Sequence, residues 1–288
     1  MDERTALERL AGRLPAAGDD CAVVEDLVLT TDMLHETTDF PGGVTRYTAG
    51  WRAVGASLSD VAAMGANARA ALAVYAAPEF DEGLLEFVDG ARAVCEAVGA
   101  SYVGGDLDTH EEFTVSTTAV GRTTDPVPRS GARIGEAVCV TGSLGRSGVA
   151  LRLFEAGEIE RANDLFRFTP RVAAGRALRP HASAMMDVSD GLARSLHQLA
   201  DASGCGFAVR TPLPIDESVD SVAEDREERR ELGTFFGEDF ELLFTVPENE
   251  FEAARDATDV AVTRIGTVVE DGISLDGEPL PDRGYTHG

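Results

Sequence analysis

Apolar runs that stop at an aspartate set the terms on which this chain can fold. LVLTTD reaches Asp32, SYVGGD reaches Asp106, and SAMMD reaches Asp187, with Asp190 following in VSDGL. Each run has the length and content of a buried strand. A carboxylate at the end of such a run costs several kcal/mol unless it is paired, hydrogen-bonded or bound to a metal. Open α/β sheets bind ligands at the carboxyl ends of their strands. Asp60 lies inside the otherwise small and apolar ASLSDVAAMG, and Asp19 and Asp20 precede CAVV. A set of aspartates on separate strand ends suits hard, oxygen-seeking cations such as Mg²⁺ around a polyphosphate. Each taken alone also has a structural explanation, because Ser189 or Asp190 can simply cap the following helix.

The rest of the chain reads as alternating strands and helices in two halves. A helix is expected over Glu3–Leu14, ended by Pro15. RYTAGWRAVGASLSDVAAM, from Arg46 to Met64, reads as a buried small-residue helix packed on a sheet. ARAALAVYAAP is a strand stopped by Pro78, Asp81 to Val98 an amphipathic helix, and EFTVSTTAVGR an alternating strand. TTDPVPRSGARIGE has no apolar period and marks a boundary near residue 125. Beyond it come the strand AVCVTG, the turn GSLGRSG with a helix, a helix over Arg171–Leu178, SAMMDV, a helix opened by SDGL, FAVR, FELLFTV and VTRIGTVVE. DESVDSVAEDREERRE is a solvated helix or loop. The expectation is a mixed α/β (α+β) chain of two domains, 1–125 and 126–288, which suits 288 residues that are 43% apolar.

Charge narrows the partners. Acidic residues outnumber basic ones 51 to 25, for a formal charge of −26. Such a surface repels nucleic acid and anionic membranes. All the basic residues are arginine, with no lysine. That excludes a Walker A lysine, a kinase strand lysine and a Schiff base. Acidic excess without lysine resembles proteins of salt-accumulating (halophilic) organisms, where salt screens the repulsion. No run approaches the ~18 apolar residues of a membrane helix, and the N-terminus lacks a signal-peptide core. A cytoplasmic protein is expected. The four cysteines are scattered without a CxxC pair and the five histidines form no HExxH.

If phosphates are bound, metal ions and arginine must neutralise them. Gly142, Gly145 and Gly148 can cradle a phosphate or only form a turn. Gly104 and Gly105, beside Asp106, can admit a nucleotide close to the backbone. Arg129 can fork onto phosphates or stay a surface arginine.

GDDCAVV, LTTDM, SLSDVAAMGA, YVGGD, RSGARIGE, VTGSLGRSG, MDVSDGL and GEDFELLF occur in this order. As a set they resemble the thiamine-monophosphate kinase family, of the superfamily typified by aminoimidazole ribonucleotide synthetase. The resemblance runs from about Gly18 to Gly284. It implies transfer of the ATP γ-phosphate to thiamine monophosphate, the last step of thiamine diphosphate biosynthesis, without a covalent intermediate or a catalytic side chain as such. It implies several Mg²⁺ ions and a homodimer whose N-terminal sheets share a β-barrel. By motif the metal ligands would be Asp20, Thr30, Thr31, Asp32, Asp60, Asp106, Asp187 and Asp190. Gly105, Asp106, Arg129 and Ser189 would contact ATP, and Glu238 the thiamine end. Asp39 stands where the family often has histidine, and Asp282 where a substrate-stacking aromatic is common, with Tyr285 the nearest aromatic. Leu107 and Asp108 follow Asp106 where threonines are usual. The other readings are a sister enzyme of the same superfamily and, from a different class, a non-catalytic cation-binding protein with a salt-adapted surface.

Overall fold

A computed structural model describes residues 18–284 together with Leu10, Arg13 and Leu14. Most of the Glu3–Leu14 helix expectation, and Tyr285, fall outside these residues. Among the described residues no helix is long and apolar enough to cross a membrane.

Two sheets organise the chain. The first has β1 (Ala22–Val24), β2 (Leu27–His35), β3 (Asn67–Ala77), β4 (Ser101–Thr109) and β5 (Thr114–Arg122) in the order β1-β2-β5-β3-β4. All its pairings are antiparallel except β3 with β4. The second has β6 (Ala137–Thr141), β7 (Ala184–Asp187), β8 (Gly206–Val209), β9 (Leu242–Val246), β10 (Val262–Val269), β11 (Ile273–Leu275) and β12 (Glu278–Pro279), ordered β12-β11-β8-β10-β6-β9-β7. The segment between β5 and β6, where the sequence loses its apolar period, has neither helix nor strand.

One face of the first sheet is covered by the helices Arg46–Ala63 and Glu82–Ala97. The Arg46–Ala63 helix starts where the Thr45 side chain accepts from the Thr48 amide, a favourable N-cap. Its Ala, Gly and Ser content lets it sit almost wholly buried between the two halves, touching β2, β3, β5 and β7. Phe87, Phe113 and Tyr75 fill the adjoining core with edge-on and tilted ring contacts. The opposite face carries Met33, Leu72, Val74 and Val103, each more than a third exposed.

The strands differ from expectation at two places that matter. β2 runs past Asp32 to His35, and β4 runs past Asp106 to Thr109. Only Asp187 stands at a strand's last residue. Ladder hydrogen bonds join backbones and are indifferent to side-chain polarity, so pairing of Asp32 with Thr117 and of Asp106 with Val74 continues the strands. The charged stretch resolves into a 3-10 turn, Glu217–Ser221, and a helix, Arg226–Thr234, capped by Asp225. Helices over Ile159–Phe166 and Phe251–Asp256 and the β11–β12 hairpin are too short for periodicity alone to declare.

Candidate active site

Strand period selects which residues of β2 can take part. Side chains alternate faces, so Thr30 and Asp32 point toward the Arg46–Ala63 helix. The Thr30 hydroxyl donates to Asp60 at 2.6 Å and the Ser57 hydroxyl to Asp32 at 2.5 Å. Thr31 faces the other way, and its hydroxyl donates to the Thr117 carbonyl. From the second half, Asp187 ends β7 and accepts from Ser59 at 2.6 Å. One helix thus offers Ser57 to one acid, Ser59 to another and Asp60 as a third.

Asp20, Asp60 and Asp187 converge, each offering an oxygen within 4.8 Å of the others. Burial, then the charges of Asp32, Asp187 and Asp20, push the Asp60 carboxyl well above the ordinary carboxylate range. Burial, reinforced by Asp20, pushes Asp187 up to about 8, and burial also raises Asp32. Asp190 lies close enough to add its repulsion to Asp187. Arg129 from the inter-sheet segment answers this charge. Its Nη2 and Nε donate to the two Asp20 oxygens at 2.8 and 3.1 Å, and its amide donates to Asp19 at 2.6 Å. Burial alone would lower Arg129, but Asp20, with Asp187 and Asp60 behind it, holds the guanidinium above its ordinary value.

Such a nest suits divalent cations. Its donors are hard carboxylate and hydroxyl oxygens. It holds more negative charge than one arginine offsets, and two half-chains meet at it.

The remaining candidates lie around or away from the nest. Ser189 accepts the Glu238 amide at 2.6 Å, which ties the GEDFEL segment to the SDGL loop. Glu238 pairs with the buried Arg52 at 3.1 Å. Asp282 pairs with Arg194 at 2.5 Å, on the helix that SDGL opens. Asp39 accepts from the His35 amide at 2.7 Å and the Thr38 hydroxyl at 2.8 Å, closing the short Glu36–Asp39 helix. Gly105 and Asp106 are exposed on the edge strand β4 and do not join the three converging acids. At Gly105 a Cβ would lie 1.6 Å from the Ala73 carbonyl oxygen, so glycine is required there for the β3–β4 approach.

Sequence reasoning missed Arg52, Ser57 and Ser59. Arg52 is 4% exposed, sits 3.5 Å over the Phe166 ring and donates to the Phe166 carbonyl. An arginine in the interior of a helix of small residues was the available signal. It missed Asp239 and Glu241 as well, although GEDFEL was singled out. Glu238 and Phe240, either side of Asp239, both have left-handed backbones, with φ of 57° and 53°. Each costs about 1–2 kcal/mol for a residue with a Cβ, a type of strain concentrated at functional sites.

Residues 18–123 match the family model described as AIR synthase related protein, N-terminal domain, and residues 133–277 match its C-terminal domain. Over their whole lengths the chain is 60% identical to a thiamine-monophosphate kinase of Halobacterium salinarum. The structure described as AaThiL complexed with AMPPCP and TMP superposes with a TM-score of 0.89 at 30% identity, covering 100% of this chain and 97% of that one. The thiamine-monophosphate kinase structure from Stenotrophomonas maltophilia K279a gives 0.82 at 30% identity, with 96% and 97% covered.

Proposed function

Because the chain belongs to the AIR synthase related proteins, and within them to the thiamine-monophosphate kinase family, we propose that its converging aspartates serve ATP-dependent phosphorylation of thiamine monophosphate to thiamine diphosphate. The observation that carries this for the site is the meeting of Asp20, Asp60 and Asp187 from both halves of the chain. A cation-binding protein without catalysis would need no such relation to a kinase over its full length. Nothing in the geometry favours a sister synthetase.

Asp20, Asp60 and Asp187, with Thr30, Asp32 and Asp190 around them, would hold Mg²⁺, and Thr31 and Asp106, which lie outside this nest, would serve as ligands only to an ion bound beyond it. Bound magnesium would neutralise the charge of the phosphates. Arg129 and Ser189, with Gly105 and Asp106 at the exposed edge, are the proposed ATP contacts. Glu238, Asp39 and Asp282 are the proposed acceptor-side residues. Arg52 holds Glu238 in place. The acceptor is a phosphate monoester, largely deprotonated near neutral pH, so no strong base is needed. The task of the residues is to bring two anions together and keep them aligned.

The direct test is incubation with thiamine monophosphate, ATP and Mg²⁺ in molar KCl, with the products resolved by chromatography. The expected result is thiamine diphosphate with one ADP per product. A folded chain that binds Mg·ATP and forms no thiamine diphosphate would refute the reading. High salt screens the self-repulsion of the −26 surface.

We further propose a homodimer through the face of the first sheet that no described residue covers. Met33 pairs with Ser116, which pairs with Val74, so these residues share that face. With Leu72 and Val103 they form an apolar surface of the kind that marks an interface. A second copy is the fitting occupant, because the same face offered twice makes a self-complementary contact. Val74→Asp should convert a dimer to a monomer in sedimentation. A monomeric wild type, or a variant that stays dimeric, refutes the assignment.

A further inference from the structure

The loop Gly237–Glu241 has two faces. One is laced to the strand end that carries Asp187. The Glu238 amide donates to Ser189, the Phe240 amide to Val188, and the Val188 amide to Glu241, at 2.6, 2.9 and 2.8 Å. The other face, with Asp239 and Glu241, lines a cavity of about 190 Å³ whose walls include Ser143, Arg146, Phe168 and Arg171. Phe168 stacks on Phe240 at 4.1 Å, giving the cavity an aromatic wall.

The two acids of this cavity are unlike. Glu241 is satisfied. Arg171 grips both of its oxygens at 2.5 and 2.7 Å and the Thr141 hydroxyl donates at 2.7 Å. A Cβ at Gly142 would lie 2.0 Å from Glu241 Oε1, so glycine makes room for the carboxylate. Asp239, 9% exposed, uses Oδ2 to accept the Gly145 amide at 2.8 Å. Its Oδ1 is buried and has no hydrogen-bond donor among the described residues. The Gly145 amide takes Oδ2 and the Ser147 amide also faces the carboxylate, yet neither gives Oδ1 a hydrogen bond. A buried acceptor without a donor is unfavourable, which points to a donor arriving with a ligand.

On the reading of the acceptor as thiamine monophosphate, one group of that acceptor can be the donor. Its phosphate is an acceptor near neutral pH, its thiazolium has no N–H or O–H, and its pyrimidine ring nitrogens are acceptors. The exocyclic 4-amino group alone carries N–H donors. We infer that Asp239 Oδ1 receives this amine, so that Asp239 is a specificity-determining residue. The aminopyrimidine then lies along Phe168, on the far face of the loop from Asp187.

The test compares kcat/KM for thiamine monophosphate and for its analogue with a 4-oxo group in place of the amine, using the full chain in molar KCl with Mg·ATP. Wild type should prefer the amine by at least ~10-fold, because a site built for a hydrogen bond rejects the analogue that leaves it unpaired. Asp239→Asn keeps an oxygen for the Gly145 amide and turns an NH₂ into the cavity. Its preference should fall by about tenfold or more, toward the oxo analogue, which now offers the acceptor. A residue that only caps a helix would lower both rates together and leave the ratio alone. An unchanged ratio in a folded variant overturns the inference, as does a wild type that takes both acceptors within about threefold. Absence of any turnover of thiamine monophosphate by wild type overturns the kinase reading and this inference together, so the two failures are distinguishable.

Discussion

Asp187→Asn should reduce turnover by more than about a hundredfold while leaving the metal-free fold as stable as wild type or more so. Losing a group that merely orients a metal ligand costs roughly 10- to 100-fold, and Asp187 is placed as a ligand itself. Asparagine keeps an oxygen for the Ser59 hydroxyl, which Asp187 accepts at 2.6 Å, and removes a buried carboxyl that ionises only against its acidic neighbours. The pH dependence gives a second readout. Burial holds the folded carboxyl near 8, whereas an unfolded aspartate titrates near 4 (~3.9). Between these values the unfolded chain has released the proton that the folded chain retains. Metal-free wild type therefore loses stability as pH climbs through that window, and asparagine has nothing to release. Denaturant unfolding with chelator present should show the variant gaining on wild type between pH 5 and pH 8. Near-normal turnover would contradict the ligand assignment, and a pH-independent difference would contradict the buried titration.

The second large effect is on stability. Arg129→Gln leaves the Asp20 side chain, which is fully buried and held by two arginine hydrogen bonds, with a charge and no cation. Breaking a buried pair from one side costs about 3–5 kcal/mol. For a chain of this size that lowers Tm by on the order of 10 °C. Because Asp20 is also placed among the Mg²⁺ ligands, added Mg²⁺ should raise the variant's Tm more than wild type's. Scanning calorimetry with chelator and then with Mg²⁺ tests both parts. A loss below about 1 kcal/mol, the range of an exposed pair, would mean that Arg129 does not neutralise the nest.

Much of this site was legible before any folding was considered. Asp60 stood out because its neighbours are small or apolar, and its burial follows from the same neighbours. SAMMD stopped at Asp187, and there the strand does end. Asp32 was picked for the wrong local reason, since β2 continues through it; its inward direction comes from strand alternation. Thr31 shows the reverse case. The motif places it beside Thr30 among the ligands, yet alternation turns its side chain to the opposite face. Asp106 is chemically suitable, but β4 is the sheet's outer strand and leaves it exposed. Asp239 hid inside a recognised motif, because nothing in a string of residues says which carboxylate oxygen will lack a donor.

Sequence by itself determined the chemical inventory and the local geometry. Without lysine, phosphate chemistry falls to arginine and metal ions. Apolar periods of two and about 3.6 residues follow from backbone sterics within a few residues, so strands, helices and the inter-sheet segment could be read from neighbours alone. Tertiary structure alone decided which acids share a site. Asp20, Asp60 and Asp187 come from a loop, a helix and a strand of the other sheet, and no short-range preference sets their separation. It also decided that Arg129 grips Asp20, that Arg52 holds Glu238, and that Asp239 keeps one oxygen unpartnered. Those outcomes depend on how two sheets pack about one small-residue helix, a long-range balance of burial and electrostatics that no local pattern contains.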